Sequence, residues 1–129
     1  MTLSQVVLDY ESALRALVKS AVDSGSASID WSPLGEFIAT GEFERVGTWM
    51  EVSDWAQYTA FLAQWASASA GFETVIQRIS ELPGLVFLEV EERHTRPSGM
   101  TDVVTSLSVY EFTAAGKIRH LSVYLQQPR

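Results

Sequence analysis

The chain has 129 residues, the length of one ordinary domain. Apolar residues make up 47% and charged residues 19%, a balance that builds a core and excludes a disordered chain. The net charge of −7 argues against a nucleic-acid or anionic-membrane surface, and the lack of cysteine excludes disulfides, thiolate metal sites and thiol nucleophiles.

The first residues carry acids where a signal peptide needs bases, and no apolar run is long enough to span a bilayer, so a soluble cytoplasmic protein is expected. Leu3, Val6, Val7, Tyr10, Leu14, Leu17, Val18, Ala21 and Val22 recur at helical spacing, with Asp9, Glu11, Arg15 and Lys19 mostly off that stripe. Thr2 and Gln5 can close a capping box. The helix stops in the small-residue loop at 24–28. A second, short helix is predicted from Ser32–Pro33 to near Gly41, since proline is pre-set for a first helical position. An extended segment comes next over 42–52, and Ser53 or Asp54 then caps a third helix with the stripe Trp55, Tyr58, Phe61, Leu62 and Trp65, ending at Gly71.

The remainder reads as four strands in antiparallel series: 72–81 and 85–95 about a Pro83-Gly84 turn, then 101–112 and 117–126 about the Ala-Ala-Gly turn. Helices succeeded by a meander predict an α+β chain of a single domain over 1–129.

Strict alternation sorts the faces. If Phe112 lies opposite Ile118, Glu111 faces Arg119 in a favourable pair and Tyr110 faces His120. Ser106, Ser108, Tyr110, Phe112, Ile118, His120, Ser122 and Tyr124 then share one face, and Leu107, Val109, Leu121, Val123 and Leu125 share the other. In the first hairpin Val75, Gln77, Ile79, Val86, Leu88, Val90, Glu92 and His94 face one way; Thr74, Arg78, Ser80, Glu89, Glu91 and Arg93 face the other.

This succession resembles the SnoaL-like group of the nuclear-transport-factor-2-like superfamily over nearly the whole chain. The most specific piece is VYEFTAAGKIRHLSVY, which is similar to that group's aromatic-x-aromatic, turn, Gly-Lys-Ile, strand ending. The resemblance implies three N-terminal helices on a strongly curved, mostly antiparallel sheet that forms a cone around an apolar pocket. It also implies a homodimer through the outer sheet face. The group includes ketosteroid isomerase, scytalone dehydratase, limonene-epoxide hydrolase, polyketide cyclases and noncatalytic binders, so fold leaves function open. Its cyclases often end the last strand with Asp; here that place holds Gln126, which cannot act as a base.

On the residues alone, His120 is the candidate general base and Tyr110 the facing oxyanion donor; the structural alternative is a cross-strand contact that only stabilises the sheet. Glu92 and His94 form a second acid/base pair, or else a solvated strand end. Tyr10, Trp31, Trp49, Trp55, Tyr58, Phe61 and Trp65 are candidates to floor a pocket, and Val90, Ser108, Phe112, Ser122 and Tyr124 to wall it; plain core is the alternative for the aromatics. Neither a metal nor a cofactor is expected, since there is no HExxH spacing and the two histidines lie on separate strands. The row Leu107, Val109, Leu121, Val123 and Leu125 would form the dimer face. In the inverse arrangement that row lines the cone and His120 sits at the interface. The function expected is a pocket for a hydrophobic metabolite of polyketide, steroid or terpenoid type, with cofactor-free acid/base chemistry. The alternative is a noncatalytic binding or dimerisation module whose cone is filled.

Overall fold

The computed structural model describes residues 2–24, 28–68 and 71–127. Helix α1 spans Leu3–Ser24 and opens on Thr2, whose Oγ1 accepts the Gln5 N–H at 3.1 Å. Val7, Tyr10, Val18 and Ala21 are its buried residues. Helix α2 spans Trp55–Ala68. Asp54 caps it reciprocally: Gln57 N–H donates to Asp54 Oδ1 at 2.8 Å, and Asp54 N–H to Gln57 Oε1 at 2.9 Å.

The expected second helix is a 3₁₀ turn over Ser32–Glu36, so the described residues hold two α-helices rather than three. The cause is the pairing of the next few residues. Ile118 N–H donates to Phe37 O at 2.8 Å and Ala39 N–H to Ile118 O at 2.9 Å, so this backbone joins the sheet instead of a continuing helix.

Strands β1 (Glu44–Val46), β2 (Val52–Ser53), β3 (Gly71–Leu82), β4 (Leu85–Thr95), β5 (Thr101–Phe112) and β6 (Ile118–Gln126) form one sheet in the order β2-β1-β6-β5-β4-β3. The pairing is antiparallel except where β1 runs parallel to β6. The core lies between one sheet face and the helices, and holds Val7 and Tyr10 against Val86, Leu88, Tyr110 and Ile118. The Pro83-Gly84 turn forms as expected, with Gly84 at φ 73°, a conformation that glycine adopts without Cβ strain. Residues 25–27 of the small-residue loop after α1, and residues 69–70 between α2 and β3, fall outside the described residues.

Two strands depart from strict alternation. In β6 the register runs Phe112↔Ile118 and then Glu111↔His120, so Arg119 is an extra residue. In β3 it runs Ile76↔Val90 and then Arg78↔Glu89, so Gln77 is extra. Each bulge reverses the facing of residues beyond it. Tyr110 is therefore opposite Leu121, not His120. Leu121, Val123 and Leu125 point inward with Tyr110, while His120, Ser122 and Tyr124 share the outer face with Leu107 and Val109. Neither arrangement predicted for this hairpin is the one formed. In β3, Val75 turns outward, opposite Glu91, and Thr74 turns inward. The expected Glu111–Arg119 ion pair does form, at 3.4 Å, but across the bulge.

Candidate functional site

The inner sheet face and the two helices enclose an open cavity of about 790 Å³. From α1 it is lined by Glu11, Leu14, Arg15 and Val18, four residues that helical spacing stacks on one side. Tyr58, Phe61, Leu62 and Trp65 of α2 and Arg45 of β1 form another wall. The sheet contributes Phe72 and Thr74; Glu92 and His94; Asp102, Ser106, Ser108 and Tyr110; and Leu121, Val123 and Leu125.

A polar cluster occupies one part of this lining. The Tyr110 hydroxyl donates to Glu11 Oε1, tying the last third of β5 to α1. Burial pushes the Glu11 carboxyl above its ordinary value; the Tyr110 hydrogen bond opposes that shift, the Glu92 charge adds to it and Arg15 opposes it. Burial and the Glu11 charge also hold Tyr110 well above the usual phenol range. Tyr58, on α2, is pushed up to about 12, chiefly by burial. The Arg45 guanidinium lies over its ring, 4.9 Å from the centroid. Tyr10 is close enough to Tyr58 for each to perturb the other, yet its buried hydroxyl completes no hydrogen bond of good geometry.

A second cluster sits on β4 and the start of β5. His94 Nε2 lies 3.1 Å from Glu92 Oε2, and the Trp65 ring meets the imidazole edge-on at 5.1 Å. Nδ1 of His94 is buried without a partner among the described residues. Across the strands His94 is paired with Asp102, whose carboxylate accepts from Arg96 Nε at 2.6 Å. Among the described residues no group of His, Asp and Glu has the geometry to hold a metal ion.

The structure thus brings Tyr58, Phe61, Trp65, Glu92, His94, Ser108 and Tyr110 to one cavity. The other candidates lie elsewhere. Tyr10, Val90 and Phe112 are core residues, and Trp31 packs against that core. Trp55 packs edge-on to Phe43 at 5.3 Å. Trp49 is 83% exposed on the β1–β2 turn. Ser122, Tyr124 and His120 lie on the outer face because of the Arg119 bulge. There His120 Nδ1 is 3.2 Å from Glu44 Oε1, and its Nε2 is 3.0 Å from Ser122 Oγ. That Ser-His-Glu order imitates a nucleophile relay, but β6 is paired on both sides at Ser122. Its backbone amides serve the ladder and are not free to form an oxyanion hole beside the hydroxyl.

Sorting residues by hydrophobicity missed Glu11, Arg15, Arg45 and Asp102. The spacing of Glu11, Leu14, Arg15 and Val18 carried a usable signal, a mixed polar and apolar helix face. Arg45 carried none, since its place depends on the parallel pairing with Leu121.

No family model matches the sequence, and neither does any curated protein. Solved structures do match in fold. A protein assigned as a SnoaL-like polyketide cyclase from Shewanella denitrificans aligns over 96% of this chain and 90% of its own, with TM-score 0.75 and 12% identity. TerC, co-crystallised with polyporic acid, aligns over 97% and 92%, with TM-score 0.73 and 13% identity. An epoxide hydrolase of the LEH-like kind from M. tuberculosis aligns over 96% and 82%, with TM-score 0.64 and 18% identity. At such identities the likeness speaks for architecture alone. The sheet order, the helices laid on its inner face and these alignments together give the chain the nuclear-transport-factor-2-like fold of SnoaL-like proteins.

Proposed function

We propose that the cavity binds a hydrophobic, oxygen-bearing metabolite of polyketide, steroid or terpenoid type, and that Glu11 transfers a proton to and from it without a cofactor. The observation that carries this reading is the Glu11 carboxyl itself. It lines the cavity, its pKa is raised by burial, and Tyr110 holds one of its oxygens. A carboxyl displaced toward neutrality is suited to give and retake protons at the working pH. The Glu92–His94 pair would serve as the neighbouring proton acceptor. A cavity of about 790 Å³ supports the ligand-binding reading over a plugged cone.

The partner proposed is a second copy of the chain, docked through the outer sheet face. The bulge revises that face: Val46, Val52, Phe87, Leu107, Val109 and Tyr124 compose it, with Val52 59% and Tyr124 60% exposed.

The test is native mass spectrometry of protein purified from its own host, then turnover of whatever co-purifies. A bound hydrophobic metabolite is expected, with turnover falling about 100-fold or more in Glu11→Gln and unchanged in His120→Ala. Full turnover by Glu11→Gln would overturn the catalytic assignment. Failure to carry or bind any such molecule would overturn the cavity reading.

A further inference from the structure

The acids that line the cavity all have partners. Glu11 accepts from Tyr110, Glu92 pairs with His94, and Asp102 pairs with Arg96. Arg45 is different. Its side chain is only 15% exposed, it lines the cavity, and its nearest carboxylate is Glu51, at 3.8 Å from Nη1. That carboxylate is shared, because Glu51 Oε2 accepts the Trp49 N–H at 2.8 Å, and Glu51 itself is half exposed. Arg45 Nε is buried with no hydrogen-bond acceptor among the described residues.

The local structure holds the guanidinium in this state. Gly47 stands where any side chain would collide: a Cβ there would lie 1.8 Å from Glu51 Oε1 and 2.9 Å from Arg45 Nη1. The Tyr58 ring supports the guanidinium from α2 at 4.9 Å. A guanidinium cannot shed its charge, and a buried one with an open donor lacks compensation that an oxygen anion would supply.

We infer that Arg45 is the anion-recognising residue of the cavity and that the ligand bears an ionised oxygen, a carboxylate or an enolate, beside its hydrophobic body. The inference rests on the cavity being a ligand site. The ligand oxygen takes up the donors that Glu51 leaves open, and a planar guanidinium suits a two-oxygen anion better than an ammonium does. Of the other two cations in the lining, Arg96 is already bound to Asp102 at 2.6 Å, and Arg15 lies close enough to the Glu11 carboxyl for its charge to favour that group's ionised form.

The experiment compares anthraquinone-2-carboxylate with its neutral carboxamide, titrated into the full chain at low salt. Wild type is expected to bind the carboxylate at least tenfold more tightly. Arg45→Gln should erase that preference to within twofold, chiefly by weakening carboxylate binding, and Arg45→Lys should retain part of it. A thermal melt checks the fold of each variant; if Arg45→Gln unfolds, the wild-type preference and the Arg45→Lys value decide. Equal wild-type affinity for the two probes, or a preference that survives in either variant undiminished, overturns the role of Arg45 and leaves the cavity reading standing. Binding of neither probe by wild type overturns both.

Discussion

The two long hairpins form a natural control for one another. Each pairs a regular strand with one that holds a single extra residue, Gln77 in β3 and Arg119 in β6. β3 is the edge of the sheet, and the residue its bulge turns outward, Val75, is half exposed. β6 is an interior strand, held by β1 on one side and β5 on the other. Its bulge sends His120 out and brings Leu121, Val123 and Leu125 in. The same irregularity brings Phe72 and Thr74 of the edge strand to the cavity while exposing Val75, and in the interior it supplies the aliphatic row of the cavity wall.

Deleting each extra residue sharpens the contrast most. Without Arg119, strict alternation would expose Leu121, Val123 and Leu125 or pull β6 out of register with both neighbours. A loss of more than about 4 kcal/mol in urea unfolding is expected, against about 1–3 kcal/mol for deletion of Gln77. Equal losses would show that interior and edge bulges matter alike. Truncation separates the same regions more gently. Leu121→Ala, at a site 3% exposed, should cost about 2–5 kcal/mol, whereas Val75→Ala should stay within about 0.5 kcal/mol.

The next test concerns the link from β5 to α1. Tyr110→Phe removes the donor to the Glu11 carboxyl and should cost about 1–3 kcal/mol. It also carries a pH signature. Glu11 has its folded pKa raised above the ordinary 4.5, so the native state holds that proton more tightly than the unfolded chain does. Its contribution to stability is complete below pH 4.5 and is lost as pH climbs through the raised value. Glu11→Gln should therefore flatten that slope and gain on wild type at the alkaline end of a thermal-melt series. Tyr110→Phe, which removes the opposing hydrogen bond, should carry the slope to higher pH. The smallest effect belongs to the outer face. His120→Ala removes a partly exposed ion pair with Glu44 and should change stability by less than about 1 kcal/mol in the same melts.

Several features could be read directly from neighbouring residues. The Asp54 cap, the Pro83-Gly84 turn and the placing of Glu92 and His94 at the end of the row Val86, Leu88, Val90 come from local spacing, and β4 has no bulge to spoil the alternation. The β5–β6 register was not readable in this way. A Glu111–Arg119 contact is compatible with both the straight and the bulged pairing, so the charge match does not discriminate between the two registers. Apolarity was an equally incomplete guide on the helices, because the face of α1 over the cavity mixes Glu11 and Arg15 with Leu14 and Val18.

The two α-helices, the four long strands, the caps, the turns and the α+β class were thus settled by interactions a few residues apart, where propensity and hydrogen-bond chemistry act on their own, whereas pairing with Ile118 decided the 3₁₀ turn over Ser32–Glu36. The facing of β6, the burial of Glu11 and the open donor of Arg45 were settled only when distant segments packed together. An extra residue in a strand breaks one local ladder step, and what determines whether it is accepted is the inward facing of Leu121, Val123 and Leu125, with Leu121 in the core and all three on the cavity lining, a placement no local stretch contains.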